Sequence, residues 1–255
     1  MKVIAINSSH RGDAGHTRVL IDRLFKGATA AGADCEAVTL ARYKVNRCLA
    51  CGRCHTSEHY LECLHAEKDD VAAIFAKIAS ADLVIYATPV YVFGVSSLLK
   101  TFLERFYSTS DVNQMRVTRS GLFFHHVDER ICTKPFVSVV VCDNLDPETP
   151  KNACEYFRTF ARFMDAPQDV ELVRNGGRLF CHGHDLQAAE RFPKILAVYA
   201  AYEQAGRELA LNGRISAATR RNANQEIIPI PFFSLLKYLT PFKRVMVRKA
   251  QEHIA

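Results

Sequence analysis

Short apolar runs alternate with stretches of helical spacing over residues 1–175, and this rhythm restricts the chain to a parallel sheet whose crossovers are helices. Strands are expected at 3–6, 35–40, 83–87, 136–142 and 170–173. Between them, Val19, Leu20, Leu24 and Phe25 recur at helical spacing within 17–31, and Val71, Ile74, Phe75 and Ile78 do so behind Asp69 and Asp70. That acidic pair suits the positive end of its helix. Further helices are expected over 96–107 and 148–164. With 255 residues, 49% of them hydrophobic, such a sheet can bury a substantial core.

Five strands joined in this way fit a flavodoxin-like, doubly wound α/β sheet with helices on both faces, expected over 1–180, with a cysteine loop at 45–65 breaking the rhythm. Residues 181–255 are expected to form a C-terminal helical extension and tail. Apolar spacing over 186–211 predicts a helix that Asn212-Gly213 ends. The tail runs from apolar, with Phe232, Phe233, Leu235, Leu236 and Leu239, to basic, with Lys243, Arg244, Arg248 and Lys249. Pro241 interrupts it and no apolar run is long enough for a bilayer, so packing on the protein or in a homo-oligomer is expected rather than membrane attachment. The chain opens on Lys2 and Val-Ile-Ala-Ile without the apolar run and cleavage site of a signal peptide, which points to the cytoplasm. A net charge of +6 without a basic motif argues against nucleic acid as a partner and favours anionic ligands.

Four of the nine cysteines lie in Cys48-Leu-Ala-Cys51-Gly-Arg-Cys54 and Cys63. In a reducing compartment such a cluster indicates a metal or redox role rather than disulfides. Overlapping three-residue steps put three thiolates on one small loop, which suits a cuboidal iron–sulfur cluster better than the two separated pairs usual in structural zinc sites. On the residues alone, zinc and a metal-free thiol cluster stay open. Cys35, Cys132, Cys142 and Cys154 read as ordinary thiols.

A parallel sheet binds ligands beyond the carboxyl ends of its strands. The loop after the first strand, Asn7-Ser-Ser-His-Arg-Gly-Asp-Ala-Gly-His-Thr17, offers hydroxyls, Arg11 and a helix N-terminus to a terminal phosphate. It is neither a G-x-G-x-x-G nor a P-loop lysine motif, and the plainer alternative is a polar turn with Thr17 as helix cap. After the third strand, Thr88-Pro-Val-Tyr-Val-Phe-Gly-Val-Ser96 places Tyr91 and Phe93 where a planar heterocycle could rest, and Gly94 would let a ligand approach the backbone. Cys142-Asp143-Asn144, after the fourth strand, adds polar groups to the same crevice.

At these residues the chain resembles the NADPH-dependent FMN reductase group of flavodoxin-like proteins, and its iron–sulfur flavoprotein branch in particular. Ser9, Arg11, Gly15 and Thr17 occupy positions of that family's Gly-Ser-Pro-Arg phosphate loop, with Ser8, His10 and His16 in place of its frequent Gly, Pro and Asn. Thr88-Pro89-Val90-Tyr91, then Ser96, Leu99 and Lys100, resemble the segment that holds the isoalloxazine ring. Cys48, Cys51, Cys54 and Cys63, followed by Lys68-Asp69-Asp70, resemble the branch carrying a [4Fe–4S] cluster, with a longer interval between Cys54 and Cys63. The resemblance implies FMN, NAD(P)H as electron donor, and a small-molecule acceptor or redox protein as partner. Candidate FMN contacts from the loops and the resemblance together are Ser9, Arg11, Gly15, His16, Thr17, Pro89, Val90, Tyr91, Phe93, Gly94, Asp143 and Asn144. No catalytic acid or base is singled out, because the flavin carries the hard chemistry. The alternative class is a flavin and iron–sulfur electron carrier that is not itself an NAD(P)H enzyme.

Two further groups have ligand-type residues. His125-His126, Asp128 and Glu129 fall in a long connection, 108–133, of the kind that forms lids or partner contacts, and Cys181-His182-Gly-His184 comes after the fifth strand. Both read more simply as polar surface than as metal sites.

Overall fold

The computed structural model describes residues 1–180, 192–228 and 232–244. Strand β1 (Lys2–Asn7) leads through a polar loop into α1 (His16–Ala30), and β2 (Asp34–Thr39) into the cysteine loop and α2 (Val71–Ser80). Strand β3 (Leu83–Tyr91) turns into the short β4 (Gly94–Val95) and α3 (Ser97–Glu104). A two-stranded excursion, β5 (Ser110–Val117) and β6 (Phe123–Val127), precedes α4 (Glu129–Cys132), β7 (Phe136–Cys142), α5 (Lys151–Met164) and β8 (Gln168–Asn175). Among the described residues, helices follow at α6 (Pro193–Asn212), α7 (Ala217–Ala223) and α8 (Phe233–Leu236).

The main sheet has the order β2-β1-β3-β7-β8, all parallel, with β4 paired antiparallel to the far end of β3. This is the flavodoxin order, and its topological switch point lies between β1 and β3. Period-2 alternation sends Ile4, Ile6, Val84, Tyr86, Phe136 and Val140 into a core shared with α2, α3 and α5. Val3, Ala5, Leu83, Ile85, Val137 and Val139 are buried on the opposite face, where α1 packs.

By its contacts the chain divides into compact units 1–225 and 226–255, with α6 and α7 inside the first. The physical reason is a glycine-mediated helix contact. A Cβ on Gly206 of α6 would lie 1.8 Å from Leu24 O, and one on Gly27 of α1 would lie 1.7 Å from Glu203 O, so α1 and α6 meet backbone to backbone. Beyond α7, the Asn224 side chain accepts from Val173 N (2.9 Å) and donates to Glu171 O (3.0 Å), substituting for a strand partner at the edge of β8. The fully buried Arg174 reinforces this by donating to Ala223 O at 3.0 Å. The predicted helix over 186–211 begins, as far as it is described, at Pro193; residues 181–191, including Cys181, His182 and His184, lie outside the described residues, as do 229–231 and 245–255 of the tail.

The connection 108–133 departs from the sequence reading, being a hairpin rather than a plain loop. Arg116 anchors it by donating to Asp165 Oδ2 (2.9 Å) and Phe163 O (3.2 Å) at the C-terminus of α5. His125 and His126 are successive residues of β6, so their side chains point to opposite faces and do not share one ligand. Among the described residues, no helix is long and apolar enough to cross a membrane.

Candidate functional site

Register brings three loops to one edge. Asn7 lies opposite Ala87, and Pro89 opposite Val141, so the chain leaves β1, β3 and β7 side by side at the carboxyl end of the sheet. The first loop is internally bonded. Ser9 N donates to Asn7 Oδ1 (3.1 Å), Asn7 Nδ2 donates to Gly12 O (3.2 Å), and Ser8 donates through both N and Oγ to Ala87 O. Gly15 is required for proximity, not for dihedral freedom: its φ is −82°, but a Cβ there would sit 2.3 Å from Ser9 Oγ. Arg11 is exposed, with Nη1 3.3 Å from His16 Nε2, and among the described residues no carboxylate pairs with it.

Helix α1 starts at His16, and its N-cap is Gly15, which offers no side chain. Thr17 is therefore not the cap: it is buried one residue inside the helix. A helix N-terminus without a side-chain cap, ringed by Ser9, Thr17 and an arginine with no carboxylate partner, is a donor set that fits a phosphate monoester. Beneath it, Asp13 accepts from Thr39 Oγ1 (2.7 Å) and pairs with Arg18 and Arg42. The Thr39 hydroxyl, with the two guanidiniums, holds the Asp13 carboxyl below the usual carboxylate range against the opposing effect of burial.

The second loop is a hairpin of unusual backbone. Val90 pairs with Val95 and Tyr91 with Gly94, leaving Val92 and Phe93 as a two-residue turn with φ of +46° and +66°. Positive φ at both positions marks a primed hairpin turn, normally filled by Asn or Gly, and a β-branched residue there is strained. The strain therefore sits at Val92 and Phe93, while Gly94 has an ordinary φ and open space around it. Val92 is 92% exposed and Phe93 61%, so this turn holds an apolar tip in solvent. The loop is fixed at its base by Thr88, whose Oγ1 accepts from Ser96 N at 2.9 Å, and by Ser96, whose Oγ caps α3 through Leu99 N.

His10 joins the two loops. Its Nε2 lies 3.0 Å from Ser97 Oγ, and its ring stands 5.5 Å from that of Tyr91. Nothing in the sequence singled out this role beyond the substitution of His for a frequent Pro. The third loop is directed differently. Asp143 pairs with Arg178 (3.1 Å) and Asn144 Oδ1 accepts from Asp146 N (2.9 Å), both exposed beside the first two loops' edge.

The cysteine loop has its own cavity. Cys48, Cys51, Cys54 and Cys63 all line it, together with His65, Arg105 and Tyr107. Burial, followed by the neighbouring sulfur of Cys63, pushes the Cys54 thiol up. Arg105 Nη2 donates to Cys63 Sγ at 3.1 Å. Both ring nitrogens of His65 and Nε of Arg105 are buried without a hydrogen-bond partner. Among the described residues, no three His, Cys, Asp or Glu side chains converge on one ion position. Four thiols lining one cavity are the donor chemistry of thiolate-bound iron or zinc. Asp69 serves the start of α2, its Oδ1 accepting from Val71 N at 3.2 Å, and its buried side chain also pairs through Oδ2 with Arg105, itself 2% exposed. Neither Arg105 nor His65 was legible as a site residue, because each carries an ordinary surface-residue signature in sequence.

Residues 1–123 match the family described as NADPH-dependent FMN reductase, so the resemblance read from the loops holds over that part of the chain. Over 105 residues the chain is 34% identical to an iron-sulfur flavoprotein of Methanocaldococcus jannaschii, covering 41% of this chain and 51% of that protein. It is 31% identical over 105 residues to an iron-sulfur flavoprotein of Archaeoglobus fulgidus, covering 41% of this chain and 45% of the relative. The chain thus spans about half the length of the curated relatives it matches. An FMN-dependent NADH-azoreductase from Bacillus anthracis, solved in complex with FMN, superposes with a TM-score of 0.57 at 14% identity over 82% of this chain and 100% of that one, which shows the shared fold.

Proposed function

We propose that this protein is an FMN-dependent NAD(P)H oxidoreductase whose cysteine loop holds a [4Fe–4S] cluster and whose electrons leave to a small acceptor or redox protein. The observation that carries the flavin reading is the joining of the two loops by His10, which places a phosphate-type donor set beside an aromatic hairpin. When bound, FMN supplies hydride acceptance and release of electrons singly or in pairs. In this reading Ser9, Arg11, Gly15, His16 and Thr17 hold its phosphate. Pro89, Val90, Tyr91, Phe93 and Gly94 border the ring, and Asp143 and Asn144 close the polar side. His10 keeps the aromatic hairpin beside the phosphate loop, and the buried Asn7–Ser9 turn keeps Arg11 outside the core, where a charged ligand can reach it. Cys48, Cys51, Cys54 and Cys63 are the thiolate set for the cluster, supported by the cavity they share and by the names of the two archaeal relatives.

Anaerobic purification with flavin, iron and sulfide analysis tests both cofactors. Rapid bleaching of bound flavin on mixing with NADPH or NADH supports the reductase, whereas bleaching only by a reduced protein donor supports a carrier. Folded protein that fails to take up FMN in titration overturns the proposal. Cys51→Ser is expected to lower bound iron and sulfide while FMN stays.

A further inference from the structure

The cysteine loop contains no long helix or strand, so something outside it must fix the four thiols. One side chain reaches both of its ends. Arg105, just past α3, donates through Nη1 to Asn46 O (3.0 Å), ahead of the first cysteine, and through Nη2 to Cys63 Sγ (3.1 Å), the last. Nη1 also pairs with Asp69, whose Oδ2 in turn accepts from Asn46 N at 3.0 Å. The pair is removed from water, with side chains 2% and 0% exposed, so its charges are weakly screened. Arg105 Nε, still unpartnered, belongs to a side chain that lines the cavity beside the two orphaned nitrogens of His65.

We infer that Arg105 is a positioning residue that sets the reduction potential of the thiol-bound cluster, with Asp69 as its counterweight. The inference rests on the reading that the four thiols hold [4Fe–4S], and deepens it. A charged N–H donated to a ligand sulfur draws electron density from the thiolate and stabilises the reduced, more negative cluster, so it raises the potential. The buried carboxylate of Asp69 acts oppositely, offsetting part of that positive charge. A clip that served only to hold the loop would have no such opposition of sign.

The experiment is a potentiometric titration, followed by electron paramagnetic resonance, of the full chain reconstituted anaerobically with iron and sulfide. At the wild-type midpoint, Arg105→Gln is expected to lower the ratio of reduced to oxidised cluster about tenfold, or ~59 mV for a one-electron couple. Asp69→Asn is expected to raise that ratio. Arg105→Lys, which keeps the charge but not the fork, should stay nearer the wild-type midpoint while losing iron faster to a chelator. If Arg105→Gln does not retain iron, Asp69→Asn and Arg105→Lys decide by the same signs. Wild-type protein that loads iron and sulfide, with variants that load but share its midpoint or shift in one common direction, overturns this inference alone. Wild-type protein that takes up no iron and sulfide overturns the cluster reading, and the inference falls with it.

Discussion

Replacing Gly15 with alanine isolates the phosphate loop from the rest of the fold. At φ −82° alanine is sterically permitted, so the backbone gains no strain, and the smaller entropy of the unfolded chain favours the variant by about 0.4–1 kcal/mol. The opposing effect is local. The new Cβ would sit 2.3 Å from Ser9 Oγ and 3.0 Å from Ser9 Cβ, so Ser9 must retreat by roughly 1 Å to reach ordinary contact. Overpacking of that size costs about 1–3 kcal/mol, and Ser9 Oγ also accepts from Arg11 N, so the retreat shifts the arginine as well. If the cost falls on the bound geometry, FMN affinity drops by about 5- to 150-fold, at 1.4 kcal/mol per factor of ten. Fluorescence titration of the apoprotein with FMN gives the affinity, and urea denaturation of the same apoprotein gives the stability. Affinity within twofold of wild type, or a stability loss larger than the binding loss, would refute the assignment of this loop to the phosphate.

At the α1–α6 contact, Gly206→Ala should destabilise the apoprotein by about 3 kcal/mol, because its Cβ would meet Leu24 O at 1.8 Å and both groups are backbone; an unchanged urea midpoint contradicts that packing. The lowered Asp13 carboxyl stabilises the fold above the unfolded carboxylate pKa of about 3.9, and the contribution is lost as pH falls through the lower folded value. Asp13→Asn should therefore flatten the acid limb of stability against pH, and an unaltered limb would mean that the carboxylate is not responsible. In metal-free, reduced protein at pH 8, alkylation should reach the exposed Cys51 well before Cys132 or Cys154, whose thiols burial pushes up to about 12 and about 11 and so keeps protonated. Mass mapping that finds Cys132 modified first would contradict the burial.

The centre of the sheet was legible because β1, β3 and β7 are apolar runs buried on both faces, as in Val3 to Ile6, and because helices of ordinary spacing separate the runs. Elements built from polar or mixed residues were not. Strands β5 and β6 contain Asp111, Asn113, Arg116, His125 and His126, a composition that reads as loop until Arg116 is seen anchoring the hairpin to Asp165. The close approach of α1 and α6 depends on two glycines that are far apart in sequence, and no local pattern couples Gly27 to Gly206. At the site, the loops themselves were readable from Arg11, Pro89 and the cysteine spacing. What joins them was not: His10 to Ser97 and Arg105 to Cys63 are contacts across long sequence separations, made by residue types that usually face solvent.

Those two contacts lie at opposite ends of one short helix. Ser97, bonded to His10, begins α3, and Arg105 comes directly after its last residue, so at 1.5 Å per residue the helix axis carries the chain about 12 Å from the loops proposed for the flavin to the thiol cavity. Leu99 and Phe102 are fully buried and Leu103 nearly so, which fixes α3 in the core independently of either loop. Perturbing one end should therefore leave the other in place. Thr88→Val, nearly isosteric, removes the acceptor for Ser96 N and leaves that buried amide unpaired, at a cost of about 1–3 kcal/mol concentrated at the start of α3. FMN affinity is expected to fall about fivefold or more, while iron and sulfide per chain after reconstitution match wild type. Parallel loss of both cofactors would mean that the two sites share one cooperative unit and that α3 does not separate them.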